Sequence, residues 1–192
     1  MRFSIISLVS FFLFFHISPA SSVEFYTPSR CATTNTSDLL AGSDIDCSAS
    51  GGKGILDYYY EYVVFQNSDF LVFTITQLSD KGTVFKSVNR FGKRLSDFKW
   101  IKDQKPKYKR SEERAVKIGF WGKHAKSYNA KMESFNGSCF AFYAAGGFTD
   151  DANNRSHAFY ALLCKKNDKE FPVDERNAIS ENFKITHKFF NR

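Results

Sequence analysis

Three kinds of side chain in this 192-residue sequence could do chemistry: cysteine, histidine and a dense run of lysine and arginine. The cysteines are Cys31, Cys47, Cys139 and Cys164. An even set serves either disulfides or a metal site. Zinc sites are normally assembled from C-x-x-C pairs with partner histidines. No two cysteines here have that spacing, and no histidine stands at ligand spacing from one. The four therefore read as a disulfide framework, with no metal or other cofactor implied. Beyond residue 20 the histidines are His124, His157 and His187. An Asp can orient a His base, so His157 with Asp150 or Asp151 could form a hydrolytic pair. A polar loop between two strands would contain the same residues, and that is the plainer reading. Glu112-Glu113 lie between Arg110 and Arg114, which makes a solvated charged turn rather than paired carboxylates. No G-x-S-x-G, H-E-x-x-H, phosphate-binding loop or EF-hand pattern occurs.

The basic run is the strongest functional signal. From Lys86 to Lys131 there are fifteen Lys and Arg against four acids, a local excess of +11. The whole chain carries only +7, so the remainder is net acidic. A uniform compositional bias cannot produce that asymmetry. Phe91, Phe98, Trp100, Tyr108, Phe120, Trp121 and Tyr128 are interleaved with the charges. Basic side chains among aromatics can hold phosphates or dock on an anionic lipid surface or an acidic protein. Nucleic acid is the weaker candidate. The competing reading is a solvated basic segment whose aromatics point into the core. Within the run, Lys102 to Arg110 contains Pro106 and reads as an exposed loop. Lys102, Lys105, Lys107, Tyr108, Lys109 and Arg110 are the candidate partner-binding residues.

The elements that hold these groups begin with an export signal. Arg2 precedes an apolar run from Phe3 to Ile17, and Ser18-Pro19-Ala20 supplies small residues at the −3 and −1 positions of a cleavage site. The run is shorter than the roughly 20 residues a spanning helix needs, and Pro19 ends it. Cleavage after Ala20 leaves 172 residues with no later membrane-spanning segment. That length is one domain with room for a core, and an aromatic share of 17% argues against disorder. Periplasmic or fully secreted destinations both fit, and both permit disulfides. Residues 21–54 are rich in Ser, Thr, Asp, Ala and Gly and read as a loop-like segment that depends on a staple. Residues 55–192 then form a single domain.

Two apolar runs make the pairing of the cysteines legible. Residues 138–147 read Ser-Cys-Phe-Ala-Phe-Tyr-Ala-Ala-Gly-Gly, and residues 157–164 read His-Ala-Phe-Tyr-Ala-Leu-Leu-Cys. Both are strand-like, and residues 148–156 between them are rich in turn formers. Folding the runs back midway between Asp151 and Ala152 sets Cys139 opposite Cys164 and Tyr143 opposite Tyr160. Directly opposed Cβ atoms lie about 4.5–5.5 Å apart, close enough for a twisted pair to be bridged. Cys139, Ala141, Tyr143, Tyr160, Leu162 and Cys164 would share one face. Phe140, Phe142, Phe159 and Leu163 would share the other. A hairpin apolar on both faces belongs in the middle of a sheet. Cys31 would then pair with Cys47, closing a short loop worth about 3 kcal/mol. Pairings that tie the N-terminal segment to the hairpin remain open at the level of sequence.

Elsewhere, Leu56–Gln66 and Phe70–Gln77 flank Asn67-Ser68-Asp69 and read as a second hairpin. Thr83–Phe85 and Val116–Trp121 are further strand candidates, and Ser127–Phe135 leads toward the Cys139 strand. A helix is expected after Pro172, where Asp174 and Glu175 suit an N-terminus and Ile179 and Phe183 supply an apolar stripe. Gly137-Ser138-Cys139-Phe140-Ala141-Phe142, then Tyr160-Ala161-Leu162-Leu163-Cys164 and the acidic helix, resemble a group of small exported alphaproteobacterial proteins. These share a Gly-x-Cys-x-x-Phe strand and a Tyr-x-x-x-Cys or Tyr-x-Cys strand. The tyrosine spacing here departs from the shorter form. The resemblance implies secretion and a stapled hairpin, and it brings no active site with it.

The expected fold is α+β, mainly antiparallel sheet, with the Cys139–Cys164 hairpin near its centre and a short C-terminal helix. The expected function is an exported, non-enzymatic interaction module, either an envelope protein or a secreted effector, with an anionic partner. The alternative is a small secreted basic hydrolase, such as a nuclease using His157 or His124.

Overall fold

Aromatic and β-branched side chains fit a pleated surface, and the aromatic runs of this chain extend as strands. The computed structural model describes residues 24–26, 31–53, 58–79, 99–103, 105–110, 118, 126–132, 135–146, 157–168 and 170–186. The expected export signal, Thr83–Phe85, the 148–156 loop, His124 and His187 lie outside them, as does Val116–Trp121 apart from Ile118. The strands are β1 (Glu24–Tyr26), β2 (Thr33–Asn35), β3 (Asp44–Lys53), β4 (Tyr58–Gln66), β5 (Phe70–Ser79), β6 (Lys107–Arg110), β7 (Lys126–Lys131), β8 (Gly137–Gly146), β9 (His157–Lys166) and β10 (Phe183–Ile185). Helices are α1 (Lys99–Asp103) and α2 (Val173–Ser180), and a 3-10 turn spans Asp38–Leu40.

Eight strands form one antiparallel sheet in the order β1-β3-β4-β5-β9-β8-β7-β6. Strands β3 to β5 run as one meander, and β6 to β9 run inward from the far edge. The two halves meet where β5 pairs with β9. These two central strands are buried on both faces along almost their whole length.

Side chains alternate across the sheet, so each strand feeds two cores. One face carries Tyr59, Val63, Phe65, Val72, Phe140, Phe142, Phe159 and Leu163. It is covered by Ile179 of α2, by Phe183 and Ile185 of β10, and by Ala32 and Leu40. The other face carries Phe73, Ile75, Cys139, Ala141, Tyr143, Tyr160, Leu162 and Cys164, with Ile101 of α1 packed on it. The β8–β9 register is the one the sequence implies: Cys139 faces Cys164 and Tyr143 faces Tyr160. The two cysteines are bonded, and the tyrosine rings lie 4.8 Å apart. Cys31 is bonded to Cys47, and no cysteine is free.

Gly137 starts β8 with φ of +155°. A Cβ there would run into the backbone oxygen of Lys165, so the glycine of the Gly-x-Cys pattern permits the approach that sets the disulfide register. At the end of β9, Lys165 binds Asp168 at 3.0 Å and Glu175 at 2.9 Å. The hydrogen bond to Glu175, then that to Asp168, raises the Lys165 pKa. The Arg176 guanidinium sits 4.5 Å above the Phe140 ring, fixing α2 on β8.

Three expectations change. Residues 44–53 are not loop but a ten-residue strand, which makes part of the N-terminal segment a component of the main sheet. The Asp and Ser content of residues 44–48 reflects exposure: all five face solvent, so burial put no apolar signature there. Phe183 is not on α2. The helix ends at Ser180, Glu181 and Asn182 turn the chain, and Phe183 enters β10. Strand β10 pairs with β2, whose residues precede it by about 150 positions, so no local pattern announced it. Residues 107–110 are not loop but a strand at the end of the described sheet.

Candidate functional site

The described residues of the basic run lie at the β6 end of the sheet. Strand β6 pairs with β7, setting Lys107 opposite Lys131, Tyr108 opposite Ala130 and Lys109 opposite Asn129. Period-2 alternation puts Lys107 and Lys109 on the same face, about 7 Å apart along the strand. Lys131 shares that face as the direct neighbour of Lys107. Lys102, on α1, and Lys105, in the turn that follows, lead into the strand. Lys102, Lys105, Lys107, Lys109 and Lys131 are all exposed.

The turn before β6 is strained. Lys105 has φ of +43° and donates its N–H to the Lys102 carbonyl at 3.0 Å. A non-glycine residue in this conformation costs about 1–2 kcal/mol. Arg110 faces Tyr128 in the register. Tyr108 points the other way from the lysines. Its ring packs on the second core with Tyr128 and Ala130, and burial pushes its phenol pKa far up. So all six candidate residues lie on one helix–turn–strand path, with Lys107 and Lys109 exposed and Tyr108 anchoring the strand to the core.

Acids collect toward the opposite edge. Asp44 and Asp46 are exposed on β3, and Asp38, Asp44 and Asp69 line an open polar cleft of about 620 Å³. The cleft lies between the 3-10 turn and the β4–β5 turn. Asn67 shapes it: its side-chain oxygen accepts from Asp69 N–H at 3.0 Å and Phe70 N–H at 2.7 Å, and its amide donates to the Leu39 carbonyl at 2.9 Å. Sequence reading finds the Asn67 turn but not the cleft, whose walls come from segments about 30 residues apart.

A second group escaped sequence reading. Glu61 alternates with Tyr59, Val63 and Phe65 and so faces the core, where it is fully buried. Its carboxylate accepts from Ala32 N–H at 2.7 Å, Thr33 N–H at 2.8 Å, the Thr33 hydroxyl and the Tyr59 hydroxyl at 2.6 Å. The Thr33 hydroxyl also meets that of Thr76 at 2.8 Å. This cluster anchors the N-terminal segment to the sheet. The only signal in the sequence is an acid at a core position of an alternating strand.

His157 starts β9 and is 6% exposed. It is set in register against Leu78 and Gly146. Among the described residues no group of three or more His, Cys, Asp and Glu is placed to hold a metal ion, and no helix is long and apolar enough to cross a membrane. No family model matches the chain, and neither a curated protein nor a solved structure shows significant similarity to it.

Proposed function

We propose that the chain is an exported, non-enzymatic interaction module that binds an anionic partner through the lysines of the β6 end. One observation carries this reading: Lys107, Lys109 and Lys131 share an exposed face, with Lys107 directly opposite Lys131. The strained Lys105 turn, which brings Lys102 toward the same strand, adds support, since such strain tends to gather at binding sites. Two disulfides fit an oxidising compartment, and residues 1–20 have the pattern of the signal that would lead there.

Lysines on a terminal strand also deter edge-to-edge aggregation, and one variant separates the two roles. Replacing Lys102, Lys105, Lys107 and Lys109 with Glu keeps the edge charged but reverses its sign. Each Lys is worth about 1 kcal/mol at an anionic surface, so binding to phosphatidylserine vesicles or heparin should fall at least about a thousandfold, and the native protein's binding should weaken with salt. Unchanged binding by a monomeric variant refutes the proposal. Export is tested by N-terminal sequencing of the protein recovered outside the cytoplasm, which should begin at Ser21.

A further inference from the structure

The two disulfides stand in opposite environments. Cys139 is 6% exposed and Cys164 fully buried, on the central strands β8 and β9. Both lie in the second core, so reaching that bond requires opening the packing on that face of the sheet, a costlier local opening than a surface loop needs. Cys47 instead lies on the solvent-facing part of β3, and its partner Cys31 is half-buried beside the first core. The loop this bridge closes includes Asp38, Leu39, Ala41, Gly42 and Asp44, one whole wall of the acidic cleft. The opposite wall, Gln66 to Phe70, is the turn that joins the sheet strands β4 and β5.

We propose that Cys31–Cys47 is a thiol–disulfide exchange site for a dithiol reductant, and that its redox state sets the order of the cleft wall. The reductant's thiolate attacks Sγ of Cys47 from the solvent side. A mixed disulfide forms, the Cys31–Cys47 bond breaks, and Cys31 leaves as a thiolate. The second thiolate of the reductant then attacks the mixed disulfide, releases Cys47 as a thiolate and departs as a cyclic or internal disulfide. Two electrons pass from the dithiol to the protein.

Reduction leaves the segment's first residues in place. Ala32 and Thr33 remain held by Glu61. Three residue pairs join β2 to β10, and Thr186 N–H reaches the Ala32 carbonyl at 2.9 Å. Beyond Asn35 the tertiary restraints are Thr36 N–H on the Asn182 carbonyl at 3.1 Å, the Thr36 hydroxyl on the Asn182 side-chain oxygen at 3.3 Å, the Asn67 bond to Leu39 at 2.9 Å and the packing of Leu40 on the first core. The wall loosens while the sheet and the β2 anchor persist. Because the anchor stays, Cys31 remains near Cys47 and the bridge can re-form.

The test treats the folded protein with dithiothreitol, quenches in acid, alkylates under denaturing conditions and maps the peptides. Cys31 and Cys47 should be alkylated at least tenfold faster than Cys139 and Cys164. Hydrogen exchange should rise in residues 36–43, with β4, β5, β8 and β9 unchanged. The double variant C31S/C47S, never exposed to reductant, should show the same exchange pattern. Simultaneous reduction of both bridges, or selective reduction with no change in residues 36–43, overturns the proposal.

Discussion

Glu61 offers the sharpest test of how this chain holds itself together. Replacing it with Gln removes a charge and turns one acceptor oxygen into an NH2 donor. If the remaining oxygen keeps Thr33, the new NH2 faces Ala32 N–H, donor against donor. That N–H retains a 3.1 Å bond to the Tyr59 oxygen, which softens the loss. An unsatisfied buried donor costs about 1–3 kcal/mol, and the surviving bonds fall to roughly half their charge-assisted strength. Against this stands the several kcal/mol spent on desolvating a carboxylate, which Gln avoids. Four donors converging on one group, two of them backbone N–H, outweigh that saving. The expected net loss is about 2–4 kcal/mol, a large share of the roughly 5–15 kcal/mol that stabilises a domain. Equilibrium urea unfolding measures it, with the m-value unchanged, and hydrogen exchange at Ala32 and Thr33 should quicken. Thr33→Val removes one of the same bonds, so the double variant should lose less than the two single losses combined. A Gln variant as stable as the native protein refutes the reasoning, for desolvation would then outweigh the clamp.

Two further outcomes follow from the geometry. Gly137→Ala forces a side chain into a glycine-only conformation and against the Lys165 backbone. It should cost about 2 kcal/mol, or roughly 4–8 °C in Tm by calorimetry, and an unchanged Tm would show that β8 can start elsewhere. The fold favours the neutral form of Tyr108, so its raised pKa gives stability that is complete below the unfolded value near 10 and drains away as pH rises beyond it. Lys165 adds a loss of the same sign, but it is shared by both proteins in the comparison. Tyr108→Phe should therefore lose less stability than the native protein between pH 8 and pH 10.5 in urea titrations. Parallel losses would place Tyr108 outside the linkage.

The central sheet was legible because its causes are local. Period-2 alternation placed Phe140, Phe142, Phe159 and Leu163 on one face and Ala141, Tyr143, Tyr160 and Leu162 on the other, and the two cores divide that way. Turn chemistry at Asn67 located the β4–β5 reversal, and the fold-back of two apolar runs found the bond between Cys139 and Cys164. The basic run from Lys86 to Lys131 was equally plain as composition, but composition has no direction. It could not say that Lys107 and Lys109 face away from the core while Tyr108 turns into it, because Lys102 to Arg110 carries too few apolar residues for a period to emerge.

Tertiary structure decided whatever depended on a distant partner. The first half of β3 is polar because it is exposed, and the segment is a strand because β4 offers it a ladder. Strand β10 exists because β2 lies beside it, and Phe183 then reaches rings from three strands, at 5.2 Å from Phe159, 6.3 Å from Phe65 and 6.4 Å from Phe142. Glu61 is tolerated in a core because residues almost 30 positions earlier deliver its donors. A sequence records the periodicity and turn chemistry of each segment. It does not record which segments meet, and in this chain the anchor, the cleft and the aromatic centre are all made where distant segments meet.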